Sequence, residues 1–497
     1  MESAGNWSAS IALSRRDLER KLAEVERRLA RQPRALTVSI DDLYARGQLL
    51  EALGRNEEAR EAYFALVAAA PTHFGGLNNL GNVLTRAGKR RAAQAAYEEA
   101  VKHHPDKPLG HVSLGICLME LEQFAEARKQ FEAALQLDPE NAAAHKGLSY
   151  LLGRIGEFDA AREHQRRGFG AEPIERLRYL GSGAPVEVLV LVSATGGNMD
   201  AESLLDKRVF AATKLYVEYH DPSAPLPDHD VVLNAISDAD VAGDALQKLP
   251  PLLAHTDAPI LNPPQVVVPT GRAEIARRLK TIPGVVAPRI ELLSRELLER
   301  GGAEALGARG FRFPLLLRLP QQHTGRHFVM VERGEDLAGA LAGLPGRELF
   351  AIEYLDARGS DGQARKYRVM FVDGKLYPLH LAVSAHWKIH YFSADMTENA
   401  ANRAEDERFL RDMPHVLGQT AVEALERVCR ELALDYGGID FGLNAAGEVL
   451  LFEANATMVV AAPGADPRWD YRRPAVQAIQ DAVKAMLLAS GKSALPG

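Results

Sequence analysis

Residues 74–107 read FGGLNNLGNVLTRAGKRRAAQAAYEEAVKHHPDK, with Gly81, Gly88, Ala93, Tyr97 and Pro105 as landmarks. The same landmarks return on either side. Pro71, Pro105, Pro139 and Pro173 follow one another at intervals of 34 residues, the period of a helical hairpin. Aligned on them, Gly47, Gly81, Gly115 and Ser149 form one column, where a small side chain lets the first helix of a pair approach its partner. Ala59, Ala93, Ala127 and Ala161 form a second, and Tyr63, Tyr97 and Phe131 follow four positions later on the same helix face, with Gln165 breaking the set. Gly54, Gly88 and Gly156 stand where the first helix of each pair should end, with Glu122 as the exception.

These columns resemble tetratricopeptide repeats and cover residues 41–176 as four units. A hairpin of this kind has an apolar face that it cannot bury alone, so the units should stack into a solenoid with a concave side open to a peptide or protein. Bracing of the following domain and self-association are the plainer roles. Before the repeats, Leu18, Leu22, Val25 and Leu29 run at helical spacing between Ser14 and Gln32. Residues 1–40 are therefore expected to hold an N-terminal capping helix, with a partner coiled coil as the alternative.

Composition bounds the rest. The chain has 497 residues, 46% of them apolar and 25% charged, enough for several domains and unlike a disordered chain. A net charge of −7 with no basic stripe argues against bulk binding of nucleic acid. No run approaches the roughly 18 apolar residues that a membrane helix needs, and no leader pattern opens the chain, so a cytoplasmic protein with no membrane partner is expected. Cys117 and Cys429 are far apart, which suggests neither a disulfide framework nor a thiolate metal site.

After Pro173 the pattern changes. Residues 186–193, VEVLVLVS, run into ATGGN, and residues 230–235, DVVLNA, and 259–262 give further short strands around a helical stretch at 241–249. Strands alternating with helices predict an α/β domain. The turn Thr195-Gly196-Gly197 lacks the spacing of a phosphate loop, and close backbone packing explains it better.

Farther on, Asp440 ends a short apolar strand, Glu453 ends VLLFE, and Asn455 lies two residues beyond on the same side of an extended backbone. Two carboxylates and a carboxamide, with no Cys or His, suit magnesium completed by nucleotide oxygens. A turn-capping Asp and a helix-capping Asn are the alternative. Lys366 and Arg368 flank Tyr367 and share a sheet face, and VDG at 372–374 marks a hairpin turn.

Taken in order, NPPQVVVPTGRAEIARRL from 262, FPLLLRLPQQHTGRHFVMVE from 313, FAIEYLD from 350, KYRVMFVDGKLYPLH from 366 and LDYGGIDFGLNAAGEVLLFEANATM from 434 resemble the ATP-grasp superfamily, of glutathione synthetase type. The resemblance implies an all-α tetratricopeptide solenoid followed by an α/β pre-ATP-grasp domain, 184–264, and an α+β ATP-grasp domain, 265–490. It also implies ATP and Mg2+ as cofactors and a carboxylate joined to an amine through an acyl phosphate.

Asp440, Glu453 and Asn455 match the family's metal signature. Arg272 and Arg318 stand where it usually has lysines; arginine also binds phosphate, as a planar fork. An ordinary exposed helix arginine is the alternative at position 272. Gly325 and its neighbours suit a lid over the phosphates, with His323 either touching phosphate or merely solvated. Glu353 and Leu355 match the adenosine hinge, unless Glu353 is an edge-strand residue facing water. Lys366 joins the nucleotide set, and Arg368 should meet the terminal phosphate or the carboxylate, a pair with Glu353 or Asp361 being the duller possibility. In HLAVSAHWKIHY, Lys388 and His390 are expected in the acceptor pocket.

The resemblance leaves room for a homodimer. Two other functions share these residues: an ATP-grasp kinase acting on a hydroxyl, and a scaffold that binds nucleotide without turnover.

Overall fold

The computed structural model describes residues 15–31, 39–170, 172–320, 327–389, 394–464 and 466–493. They fall into two compact units: 1–185 with 207–212, and 186–206 with 213–497.

Among the described residues of the first unit nine helices follow one another: α1 (Arg15–Arg31), α2 (Ile40–Ala52), α3 (Asn56–Ala69), α4 (Phe74–Arg86), α5 (Arg90–His103), α6 (Pro108–Glu120), α7 (Phe124–Leu137), α8 (Ala142–Ile155) and α9 (Phe158–Phe169). The glycine column explains their pairing. A methyl group on Gly81 would lie 2.4 Å from the Tyr97 ring, and one on Gly115 would lie 2.7 Å from Phe131, so each ring fills the groove that its glycine leaves. Where Ser149 interrupts the column the ring is also lost, and Gly147 instead packs against Phe131 of the preceding hairpin.

Gly54, Gly88 and Gly156 have φ of 74°, 71° and 87°, and Glu122 adopts 61° in the same place, so the turn geometry holds where the glycine does not. Side-chain caps start three of the first helices: Ser39 accepts from the Asp42 N–H, His73 from Gly76 and Asn141 from Ala144. Leu22 of α1 shares a core with Leu43 and Leu50 of α2, and Arg28 pairs with Asp42 at 2.7 Å. The rest of the expected N-terminal cap, 1–14 and 32–38, lies outside the described residues. A short strand, β1 (Ile174–Arg176), follows the helices.

The second unit is mixed α/β. β2 (Val186–Val192) is buried along most of its length, as the apolar run over 188–192 requires of an interior parallel strand. β3 (Phe210–Tyr216) is divided between the two units, and within the second β2 pairs with β4 (Val231–Asn234), with β5 (Ile260–Leu261) beyond β4 and all three parallel. Next come β6 (Val285–Val286), β7 (Ile290–Ser294), β8 (Leu315–Arg318), β9 (Phe328–Val331) and β10 (Glu348–Glu353). β7, β10, β8 and β9 form an antiparallel sheet in that order.

The last sheet runs β12 (Lys375–Ser384), β11 (Ala364–Val372), β13 (Tyr436–Leu443), β14 (Val449–Asn455) and then β6, which alone is parallel to its neighbour. Asp373 and Gly374, with φ of 49° and 71°, turn β11 into β12 as the VDG signal predicts. One hydrophobic core extends from Leu189 on β2 to Ala456 just after β14, with Phe371, Phe441 and Leu425 among its members.

Candidate functional site

The chemistry gathers on one face of the last sheet. In register across four strands stand His380 on β12, Arg368 on β11, Asp440 on β13 and Glu453 on β14. Two β-bulges flank this row. The pairing slips after Arg368 against β12 and after Asp440 against β14, which leaves Leu379 and Phe452 as the extra residues. Bulges twist a strand and re-aim its side chains, and they are common next to working sites. The carbonyl of the bulged Leu379 accepts from the buried Arg472 at 3.2 Å, so the irregularity is held from behind.

Asp440 is buried, with both oxygens engaged. Arg368 donates through Nε to Oδ1 at 2.6 Å and through Nη2 to Oδ2 at 2.8 Å, and Lys366 reaches Oδ2 at 2.9 Å. Burial pushes the Asp440 carboxyl up, but Arg368 and Lys366 outweigh it and hold the group well below the usual carboxylate range. Arg368 moves the other way: its burial disfavours charge, yet Asp440 keeps it firmly protonated. His380, fully buried beside Arg368, is driven well below the ordinary histidine range and stays neutral.

Beside this row, Glu453 Oε1 accepts from Arg272 at 2.8 Å and from the Asn455 amide at 3.1 Å. Arg272 opens the helix Arg272–Leu279, and its own N–H donates to Asp240 at 2.9 Å. A small cavity lies here, lined by Asp238, Asp240, Thr270, Arg272, Glu453 and Asn455. Burial raises the Asp240 carboxyl. Arg318, buried at the end of β8, lies over the Phe328 ring at 5.4 Å. Burial first and Arg272 second lower its guanidinium to about 10.

Phe328 also meets Trp387 edge to face at 5.4 Å, and Lys388 donates to the Phe328 carbonyl at 3.4 Å. Glu353 is exposed on β10 and makes a reciprocal pair with Arg289, accepting its N–H through Oε2 at 2.9 Å and donating its own N–H to the Arg289 carbonyl at 2.9 Å. Leu355 follows, half-buried.

The predicted residues therefore divide. Asp440, Glu453, Asn455, Lys366, Arg368 and Arg272 meet on one sheet face, with Arg318 electrostatically coupled to Arg272 and Glu453. Lys388 contacts the β9 side through Phe328. His323, with the expected lid around Gly325, and His390 lie outside the described residues. The pairing of Arg368 with Glu353 or Asp361 is not what forms: Arg368 pairs with Asp440, and Asp361 pairs with Arg365 at 2.8 Å on the opposite face of β11. Glu353 is likewise not on an edge strand, since β10 lies between β7 and β8. Sequence reasoning missed Asp238 and Asp240, whose only signal was their place just past β4, and it placed His380 in the histidine-rich acceptor run, not beside Arg368.

Among the described residues no three His, Cys, Asp or Glu side chains come together so as to hold a metal by themselves. The donor set still suits a hard divalent ion: Glu453 offers its carboxylate beside the Asn455 amide, whose NH2 donates to Glu453 and whose Oδ1 accepts from Thr457, and Asp440 is across the strand from Glu453. The oxygens of Asp440 are already shared between two cations, so an ion here would rely on Glu453, Asn455 and ligand oxygens.

Family models for the tetratricopeptide repeat match residues 43–73, 78–122 and 108–141. The chain therefore carries tetratricopeptide repeats, followed by a mixed α/β region. No curated protein matches this chain. Solved structures similar to it include MamA, residues 41 to the end, from Desulfovibrio magneticus RS-1, at 22% identity over 31% of this chain and 84% of that one, with a TM-score of 0.29. YrrB, described as a TPR protein with an unusual peptide-binding site, is 22% identical over 32% and 79%, with a TM-score of 0.28. A tetratricopeptide repeat protein from Parabacteroides merdae ATCC 43184 is 18% identical over 32% and 61%, with a TM-score of 0.30. No helix among the described residues is long and apolar enough to cross a membrane.

Proposed function

We propose that the chain is an ATP-grasp ligase that uses ATP and magnesium to activate a carboxylate and couple it to an amine, while its repeats recruit a peptide or protein substrate. The observation that supports this reading is the row in which Arg368, Lys366 and Arg272 converge on Asp440 and Glu453. A triphosphate needs such a set of fixed cations, because electrostatic stabilisation does most of the work in phosphoryl transfer. Arg272, Arg318 and Lys366 would bind phosphate oxygens, Arg368 the terminal phosphate or the carboxylate, and Glu453 and Asn455 would hold the ion, with Asp440 joining them once phosphate draws Arg368 and Lys366 from its oxygens. Bound there, magnesium would neutralise charge on the leaving phosphoryl group.

Lys388 lines the acceptor side, where burial and Arg318 lower its ammonium from the ordinary lysine range. Tetratricopeptide repeats join the same chain as this site. A substrate held by one module is presented to the other at an effective concentration on the order of millimolar.

The test is ADP release by the full chain with ATP, magnesium and pools of amino acids. Glu453→Gln should lower turnover about 100-fold or more, equivalent to about 3 kcal/mol, with the fold unchanged. Arg318→Ala should act in the same direction. Wild-type turnover in Glu453→Gln removes the metal assignment. ADP released without any amine points to transfer onto a hydroxyl, and magnesium-nucleotide that stabilises the protein without turnover points to a scaffold.

A further inference from the structure

His111 and His145 hold the same place in successive repeats, 34 residues apart. Each directs Nε2 at a backbone carbonyl six residues earlier, Pro105 or Pro139, at 3.0 Å. A carbonyl only accepts, so Nε2 carries the hydrogen and Nδ1 of the neutral ring must accept. For His111 the facing group is the Gln130 amide at 2.8 Å, whose NH2 meets Nδ1 when the amide is oriented by that bond. For His145 it is Nδ1 of His164, 2.7 Å away, with the two rings 5.0 Å apart. Gln130 and His164 are again 34 residues apart. One repeat thus places a neutral amide where the next places a second ionisable ring.

We propose that His145 and His164 form a proton-sensitive latch, which keeps the α8–α9 hairpin closed while at most one proton is bound to the pair and releases it when both rings are charged. In the neutral pair His164 donates its Nδ1–H to Nδ1 of His145. One added proton, on Nε2 of His164, leaves that bond in place. A second, on Nδ1 of His145, sets two N–H groups against each other in a part-buried contact and adds like-charge repulsion.

The charged groups around the pair are Arg128 and Glu132 on α7 and Arg167 on α9, whose guanidinium is tied to Glu140 at 2.7 Å, while Lys146 on α8 lies over the Phe169 ring. Burial first, then His145, Arg167 and Arg128, hold His164 below the ordinary histidine range against the weaker pull of Glu132. Below the unfolded value of about 6.5 the closed hairpin thus binds fewer protons than the open one, and its stability falls as the pH falls.

Hydrogen exchange on the full chain at about pH 7.5 and about pH 5, corrected for intrinsic rates, compares α8–α9 with α6–α7. In the wild type, protection of α8–α9 should drop about tenfold relative to α6–α7 on acidification. His164→Gln copies the Gln130 arrangement and should abolish that difference, while Gln130→His should transfer the sensitivity to α6–α7. Equal loss in both wild-type hairpins, or sensitivity that survives His164→Gln, overturns the latch. Should His164→Gln fail to fold at the higher pH, the ring resonances of the wild type decide: a coupled, depressed second step supports the latch, and two independent titrations in the ordinary range overturn it.

Discussion

The repeat helices and the charged sheet face position their buried groups in opposite ways. In the solenoid the fit is one of shape: Gly47 and Gly81 leave grooves that the Tyr63 and Tyr97 rings fill, and nothing charged is needed at the contact. On β11 and β13 the fit is one of charge, since Asp440 stays buried because Arg368 and Lys366 are held against it. Shape fails gradually when an atom is added or removed. A buried ion pair fails abruptly, because the partner left behind keeps its charge in a place that cannot solvate it.

That contrast is tested most severely at Asp440. Asp440→Ala leaves Arg368 and Lys366, both largely shielded from solvent, without their main counter-charge, and should cost about 3–5 kcal/mol. Urea unfolding followed in the second unit measures it. A loss under about 1 kcal/mol would mean that this ion pair is no more decisive than a surface contact.

The shape side is sharpened by a pair of glycines. A Cβ at Gly81 would lie 2.4–2.7 Å from three atoms of the Tyr97 ring, so Gly81→Ala should overpack the hairpin, at a cost of about 1–3 kcal/mol that Ala's better helix propensity offsets only in part. Gly153, in α8, has nothing within 4 Å of such a Cβ, and Gly153→Ala should stabilise by about 0.5–1 kcal/mol. Exchange free energies of the repeat helices should therefore move in opposite directions. The same sign at both positions would show that helix propensity and not the groove sets the column.

The same difference decides what the sequence reveals. Gly81 and Tyr97 lie sixteen residues apart within one repeat, and a fixed period of 34 aligns three copies of the contact, so a single sequence displays it as columns. The departures are legible as well: Ser149 and Gln165 change together because glycine and ring are halves of one fit. The ion pairs of the sheet face join residues 72, 74 and 181 positions apart, and each occurs once. Strand alternation put Lys366 and Arg368 on one face, but nothing local identified Asp440 as their shared partner. Side-chain parity likewise grouped Glu453 with Asn455, while the bulges that fix the row depend on pairing between distant strands.

The finest test lies within the repeats, where the aromatic column is not uniform. The Tyr63 hydroxyl donates to Glu51 at 2.9 Å and accepts from Asn79 at 3.2 Å, and Tyr97 donates to Asn82 at 2.8 Å. Phe131 fills the same place in the third repeat with no hydroxyl and is equally buried, so the ring alone suffices for packing. Tyr63→Phe should therefore keep the groove filled and lose only the polar link between α2, α3 and α4. Glu51 retains its ion pair with Arg86 at 2.6 Å, which limits the cost of the missing donor. A loss of about 0.5–1.5 kcal/mol is expected in the exchange free energy of α2–α4. A much larger loss would mean that the first two hairpins depend on this network as the sheet face depends on Asp440, and the division between shape and charge would then run through the solenoid itself.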